Sequence, residues 1–143
     1  MKQAVIITGA SGGIGKVLCS EFTKAGYHVI ASDFTDECQL SEIDSWVGID
    51  LDRLCCESNY RQKMVERLCE AAGSYNISSI INNAAVQKVQ PAELLTLEDW
   101  NVTINVNLTA PFLLIQALLP QLKSVVNISS IHAEQTKPGF SAY

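Results

Sequence analysis

Gln3-Ala-Val-Ile-Ile-Thr-Gly-Ala-Ser-Gly-Gly-Ile-Gly15 opens the chain and decides its architecture. The apolar run at residues 4–7 is long enough for one buried strand, and it stops at Thr8. Three glycines spaced GxxxGxG (Gly9, Gly13, Gly15) then lead into apolar residues at helical spacing. The stretch therefore predicts a strand, a tight turn and a helix N-terminus. Glycine suits such a turn because it accepts positive φ and has no Cβ to block close backbone approach. Amides at the helix start face outward, where aligned peptide dipoles favour an anion. An ordinary glycine-rich turn would read the same way, so the neighbouring sequence has to discriminate.

Two checks do so. A mononucleotide P-loop needs Gly-x-x-x-x-Gly-Lys-Ser/Thr; Gly15-Lys16 fits, but Ala10 stands where the first glycine belongs and Val17 where the hydroxyl belongs. That reading fails twice. A dinucleotide site is followed by an acidic residue at the end of the next strand, where it accepts from ribose hydroxyls. Asp33 stands there, closing the apolar run 28–32. A carboxylate at that point repels a 2′-phosphate, so NAD is expected in preference to NADP. The competing reading of Asp33 is a loop carboxylate or a helix cap.

The composition agrees with one domain. A chain of 143 residues, 48% of them hydrophobic, has room for one real core. The net charge of -5 is spread along the chain, with no basic face for nucleic acid or an anionic membrane. No signal-peptide pattern follows Lys2, and a cytoplasmic location is expected. Five cysteines without CxxC spacing predict reduced thiols rather than a disulfide framework or a zinc site, and no metal is expected. Four Asn-x-Ser/Thr strings, at Asn76, Asn101, Asn107 and Asn127, fall in or beside expected regular elements and are read as unmodified.

Beyond the glycine turn, Ile14, Val17, Leu18, Phe22 and Ala25 predict a helix whose apolar stripe packs on a sheet, with Gly26 as its stop. Residues 28–32 are a second strand, and residues 36–40 have room for a turn or two of helix. Residues 46–49 are a third strand ending in Asp50-Leu51. Asp50 either accepts from an adenine amino group or caps the segment after it. Tyr60, Met64, Val65, Leu68 and Ala72 share one helical face that Gly73 ends. A fourth strand, 77–81, runs into Asn82-Asn83-Ala84-Ala85, whose small residues would let a flat ring approach the backbone. Thr96-x-x-Asp99 resembles a capping box ahead of a long helix over residues 97–122. Its stripe is expected at Trp100, Ile104, Leu108, Ile115 and Leu119, and its polar first half argues against a membrane span. Pro111 lies inside that helix and crowds the Asn107 carbonyl, so a kink is expected, with that carbonyl available for a water or cation. Residues 124–130 form a fifth strand. Alternating strands and helices predict a doubly wound α/β fold with a parallel sheet of about five strands in the order 3-2-1-4-5.

These residues together resemble the short-chain dehydrogenase/reductases, in the single-domain branch with a TGxxxGxG turn. The matching positions are Thr8, Gly9, Gly13, Gly15, Asp33, Asp50, Asn82-Asn83-Ala84, Asn107, Ser130 and Tyr143, in the family's order and spacing. The family's Asn-Asn-Ala-Gly appears here as Asn-Asn-Ala-Ala. The resemblance implies a single Rossmann-type NAD(P)-binding domain over residues 1–143. It places the cofactor on Gly9, Ser11, Gly12, Gly13, Ile14, Gly15, Asp33, Asp50, Leu51, Asn83, Ala84 and Ala85. It also implies hydride transfer between a nicotinamide and a small alcohol or carbonyl substrate. Ser130 would bond the substrate oxygen, Tyr143 would be the acid/base, and the Asn107 carbonyl would hold a relay water.

The family's Tyr-x-x-x-Lys lysine would stand four residues past Tyr143, where the sequence has none. The resemblance thus implies an amino-terminal portion of the family's domain, lacking its carboxyl-terminal portion, with slow or absent turnover. The alternative is a catalytically inactive nucleotide-binding module or a truncation product. The apolar edge at residues 125–128 and the long helix lead to an expected homo-oligomer. Candidate substrate contacts are Gln87, Lys88, His132 and Gln135.

Overall fold

In the computed structural model, which describes residues 2–38, 40–41 and 43–143, the opening stretch forms a strand and a helix around a glycine turn. Strand β1 (Gln3–Thr8) alternates its side chains between the two sheet faces: Ala4 and Ile6 enter one core, Val5 and Ile7 the other. Burial on both faces explains why the strand reads as an unbroken apolar run. Strands β2 (His28–Asp33), β3 (Ser45–Gly48), β4 (Asn76–Asn82) and β5 (Ser124–Asn127) join it in a parallel sheet. Its order is β3-β2-β1-β4-β5, as the alternation predicted.

Helix α1 (Gly13–Lys24) covers the Val5/Ile7 face, and Leu18 and Phe22 of the expected stripe pack against it, but the other three residues do not. Ile14 and Val17 are exposed at 59% and 62%, and Ala25 is exposed, whereas Gly15 and Cys19 are buried. The cause is Gly15: a Cβ there would lie 2.8 Å from Ala10 Cα and press on the Gly9 carbonyl. The helix docks on the turn through its missing side chain, and that contact turns Ile14 and Val17 outward.

The other face carries α2 (Leu51–Cys56), α3 (Ser58–Ala72) and a helical stretch from Leu97 to Leu118. Helix α2 has no counterpart among the expected elements, whereas α3 buries Met64, Leu68 and Ala72 as its pattern indicated. Residues 36–38 and 40 carry no helix, and Gln39, within the helix expected there, lies outside the described residues. The long helix divides into α4 (Leu97–Ile104), a π turn (Asn105–Thr109) and α5 (Ala110–Leu118). It ends four residues earlier than expected. Its buried stripe is Thr103, Val106, Ala110, Leu114 and Leu118, while Trp100, Leu108 and Leu119 are exposed. An 18-residue window of this stretch reaches a mean hydropathy of 1.2, long and apolar enough for a span by composition, yet the buried stripe packs into the core beside the sheet. Strand β5 stops at Asn127, short of the expected Ser130, and all four of its residues are exposed.

Adding one methyl group separates the two helical glycines. Gly15→Ala is expected to cost about 1–3 kcal/mol through overpacking against the turn backbone. Gly13→Ala, whose new Cβ meets nothing within 4 Å, should change stability by less than about 0.5 kcal/mol. Urea unfolding of both variants checks the contrast.

Candidate functional site

The carboxyl ends of β1 and β4 are held together by side chains from both. Thr8 Oγ1 accepts from the backbone N–H groups of Asn83 and Ala84, each at 3.1 Å. Asn83 Nδ2 donates to the carbonyls of Thr8 and Gly9, each at 3.0 Å. Gly9 has φ +64°, and a Cβ on it would lie 2.7 Å from Ala84 Cα. Asn83 therefore satisfies carbonyls at the strand ends, the service expected of an asparagine there.

Beside this knot opens a cleft of 690 Å³ at the carboxyl end of the sheet. Gly9, Ser11, Gly12, Gly13 and Ile14 line it from the turn, Asp33 and Leu51 from the β2 and β3 ends, and Asn83, Ala84 and Ala85 from the β4 end. Gly15 does not line it and supports the turn from beneath. Asp50 lines the cleft, but its Oδ1 accepts from Arg53 N at 3.1 Å, so here it caps α2. Asp33 Oδ2 accepts from the Ser11 amide at 2.8 Å and the Ser11 hydroxyl at 2.7 Å, while its Oδ1 accepts from Phe34 N at 2.7 Å. The carboxylate is thus aimed by the glycine turn itself. Walls that the sequence did not point to come from Ser32, Asp52, Val102 and Val106. Val102 and Val106 lie on a helical stretch that no local motif connects to the turn.

A second cavity of 420 Å³ brings Asn107, Ser130 and Tyr143 together. Ala84 and Ala85 line both spaces and form their common wall. Asn107 is locked by its side chain: Oδ1 accepts from Val86 N at 2.8 Å and Nδ2 donates to Val86 O at 2.9 Å. Ser130 Oγ accepts from His132 N at 3.3 Å, and Tyr143 lies edge-on to the rings of His132 and Phe140. Asn82 also lines this cavity; its Nδ2 donates to Asn127 Oδ1 at 2.8 Å, and its Oδ1 is buried without a partner among the described residues.

The four candidate substrate contacts are not among the cavity walls, although His132 sits beside Ser130 and Tyr143. Gln87, Lys88, His132 and Gln135 line neither cavity. Lys88 instead pairs with Asp99 at 3.0 Å, and Gln90 Nε2 donates to the same carboxylate at 3.1 Å. The expected capping box is half present: Thr96 Oγ1 accepts from Asp99 N at 3.0 Å, but the Asp99 carboxylate reaches the Thr96 hydroxyl, Lys88 and Gln90. Gln90 N in turn donates to Gly139 O at 3.0 Å. Asp99 thereby ties the loop after Ala85 to α4, and Gln90 ties it to the loop before Tyr143.

A serine, histidine and aspartate also meet at the opposite end of the sheet, where His28 Nε2 lies 3.1 Å from Ser45 Oγ and Nδ1 3.8 Å from Asp44. Nε2 is also 2.9 Å from the Ala71 carbonyl, which demands a proton on that nitrogen. A nitrogen so protonated cannot act as a base toward Ser45. Burial pushes the Cys19 and Cys55 thiols up to about 11, and among the described residues no group of His, Cys, Asp and Glu could hold a metal.

Among known proteins, a family model described as short chain dehydrogenase matches residues 3–143. An uncharacterised oxidoreductase of Schizosaccharomyces pombe is 29% identical over 98% of this chain and 55% of its own length. The structure of a 4-hydroxyisoleucine dehydrogenase complexed with NADH superposes with a TM-score of 0.83 at 26% identity, covering 100% of this chain and 60% of that one. A metagenomic short-chain oxidoreductase in complex with NADP gives a TM-score of 0.85 at 24% identity, a likeness of fold, covering 99% of this chain and 67% of that one. The chain spans little more than half the length of curated relatives such as the Schizosaccharomyces pombe oxidoreductase, 55% in its case.

The Asp99 contacts set a pH dependence. Lys88, then Thr96 and Gln90, hold its carboxyl below the ordinary 3.8. A depressed folded pKa contributes stability above the unfolded value and loses it as pH falls through the folded pKa. Asp99→Asn should therefore be less stable than wild type at pH 7, and the difference should shrink as pH falls below about 4. Paired urea titrations at pH 7 and pH 3 measure it.

Proposed function

Because the chain belongs to the short-chain dehydrogenase family, we propose that it forms the cofactor-binding half of an NAD-dependent oxidoreductase acting on a small alcohol or carbonyl compound. One observation carries the reading: two cavities share the Ala84–Ala85 wall, one bearing the glycine turn and Asp33, the other Asn107, Ser130 and Tyr143. Substrate and cofactor would meet across that wall.

The residues present fit a dinucleotide. A Cβ on Gly13, which lines the cleft, would enter open space, so the glycine leaves room for a ligand where α1 begins. Gly12, Gly13 and Ile14 would offer their backbone to the pyrophosphate. Asp33 would accept from the ribose hydroxyls and repel a 2′-phosphate, which favours NAD over NADP. Leu51 would flank the adenine, while Asp50 holds α2 in place. Asn83, Ala84 and Ala85 would lie against the nicotinamide, which when bound supplies the hydride acceptor or donor. Ser130 would hold the substrate oxygen through its hydroxyl, Tyr143 would exchange its proton, and the Asn107 carbonyl would hold a water in the proton path. The domain is assigned to residues 1–143, and a cytoplasmic, membrane-free setting suits its acidic charge without a basic face.

Leu97, Leu108 and Phe112 on the long helix and Leu119 just past its end are 58–75% exposed, and Val125, Val126 and Ile128 are exposed along and just beyond β5. Such a surface would be covered by a second copy of the chain. Light scattering should report a dimer or larger species; a monomer at high concentration contradicts this.

A second reading is binding without turnover. NADH fluorescence titration of the purified chain tests both. NADH should bind at least about tenfold more tightly than NADPH, a difference of about 1.4 kcal/mol, and Asp33→Asn should narrow that gap. Alcohol-dependent formation of NADH that Tyr143→Phe abolishes supports the enzyme; binding without it supports the module. No NADH binding by wild type sinks the proposal.

A further inference from the structure

The π turn carries two faces of the site on consecutive residues: Val106 lines the nucleotide cleft and Asn107 the second cavity. A π turn is uncommon, and it persists only where neighbours hold it. On one side Asn107 grips the Val86 backbone. On the other, Asn105 Nδ2 donates to Asp52 Oδ1 at 2.8 Å, and the Cys55 thiol, 3.2 Å from the Leu51 carbonyl, also lies 3.4 Å from the Asn105 carbonyl. Asp52 belongs to the first turn of α2, and that turn, Asp50 to Asp52, is itself a wall of the nucleotide cleft. A ligand in the cleft therefore touches the strut that supports the turn.

We propose that Asp52 and Asn105 are positioning residues that couple occupancy of the nucleotide cleft to the order of the π turn presenting Asn107. The inference rests on the NAD reading above. A ligand that orders the first turn of α2 fixes Asp52, Asp52 fixes the Asn105 amide, and the turn loses freedom without touching that ligand at Asn107. The charge-assisted bond is strong enough to carry such coupling.

Hydrogen exchange of the full chain, with and without saturating NADH, is the test. In wild type, NADH should slow exchange in the glycine turn and, roughly tenfold, at residues 105–110, as expected when a bond to a charged group holds a locally opening unit. In Asp52→Ala the glycine turn should still be protected, while slowing at residues 105–110 falls to less than about threefold. Asn105→Ala should do the same from the other side. The exchanged pair Asp52→Asn with Asn105→Asp restores donor and acceptor and should restore the slowing. Unchanged NADH-dependent slowing at residues 105–110 in both alanine variants overturns the inference, even if their basal exchange is faster. Absence of protection anywhere in wild type overturns the NAD reading and this inference with it.

Discussion

The knot between Thr8-Gly9 and Asn83-Ala84 is the contact on which the rest depends. Strands β1 and β4 are neighbours in the sheet, yet the bonds to Thr8 in this knot join residues 75 and 76 apart in the chain, and beyond the strands' carboxyl ends the chain departs in opposite directions. A crevice opens where the strand order reverses. Its floor is closed by four hydrogen bonds around Thr8 and Asn83, and no side chain on Gly9 intervenes. With the floor closed, the glycine turn is held beside the β4 end and Asp33 is bonded to Ser11. The cleft and the Ala84–Ala85 wall follow from that one closure.

The strands were legible in the sequence because each interior strand is buried on both faces, which leaves a short apolar run bounded by polar residues. Helix phase was harder to read. An apolar count cannot see that Gly15 faces the core, nor that fully buried Thr103 does so by donating its hydroxyl to the Asp99 carbonyl at 2.7 Å. A small residue allows close docking and a self-satisfied hydroxyl removes the burial penalty, so neither position needs an apolar side chain. Helix α2 was missed because six residues with two buried leucines fall below any periodic signal.

The site divides in the same way. Gly9, Gly13 and Asp33 stood out because their backbone or charge has few uses at those positions, whereas Val102, Val106 and Asp52 look like ordinary helix residues. They acquire a role only when the long helix crosses the cleft. Lys88 illustrates the reverse error. A lysine near a strand end suggests a ligand, but the Asp99 carboxylate, brought to the same loop by α4, takes the ammonium as its own partner.

Asn107 separates two demands that fall on one residue. Its backbone carbonyl faces a proline that has no N–H to give it, and Ala110 reaches back to Asn105 across a wider turn. Its side chain must meanwhile accept from Val86 N and donate to Val86 O within one short reach. A carboxylate lacks the donor, an aliphatic group lacks both, and glutamine adds a methylene that the 2.8 and 2.9 Å contacts leave no room for. The residue type at this position is therefore accounted for by the side chain, although the candidate function belongs to the carbonyl. Proline and asparagine act on the same peptide from opposite sides, one withholding a hydrogen bond and the other fixing its direction.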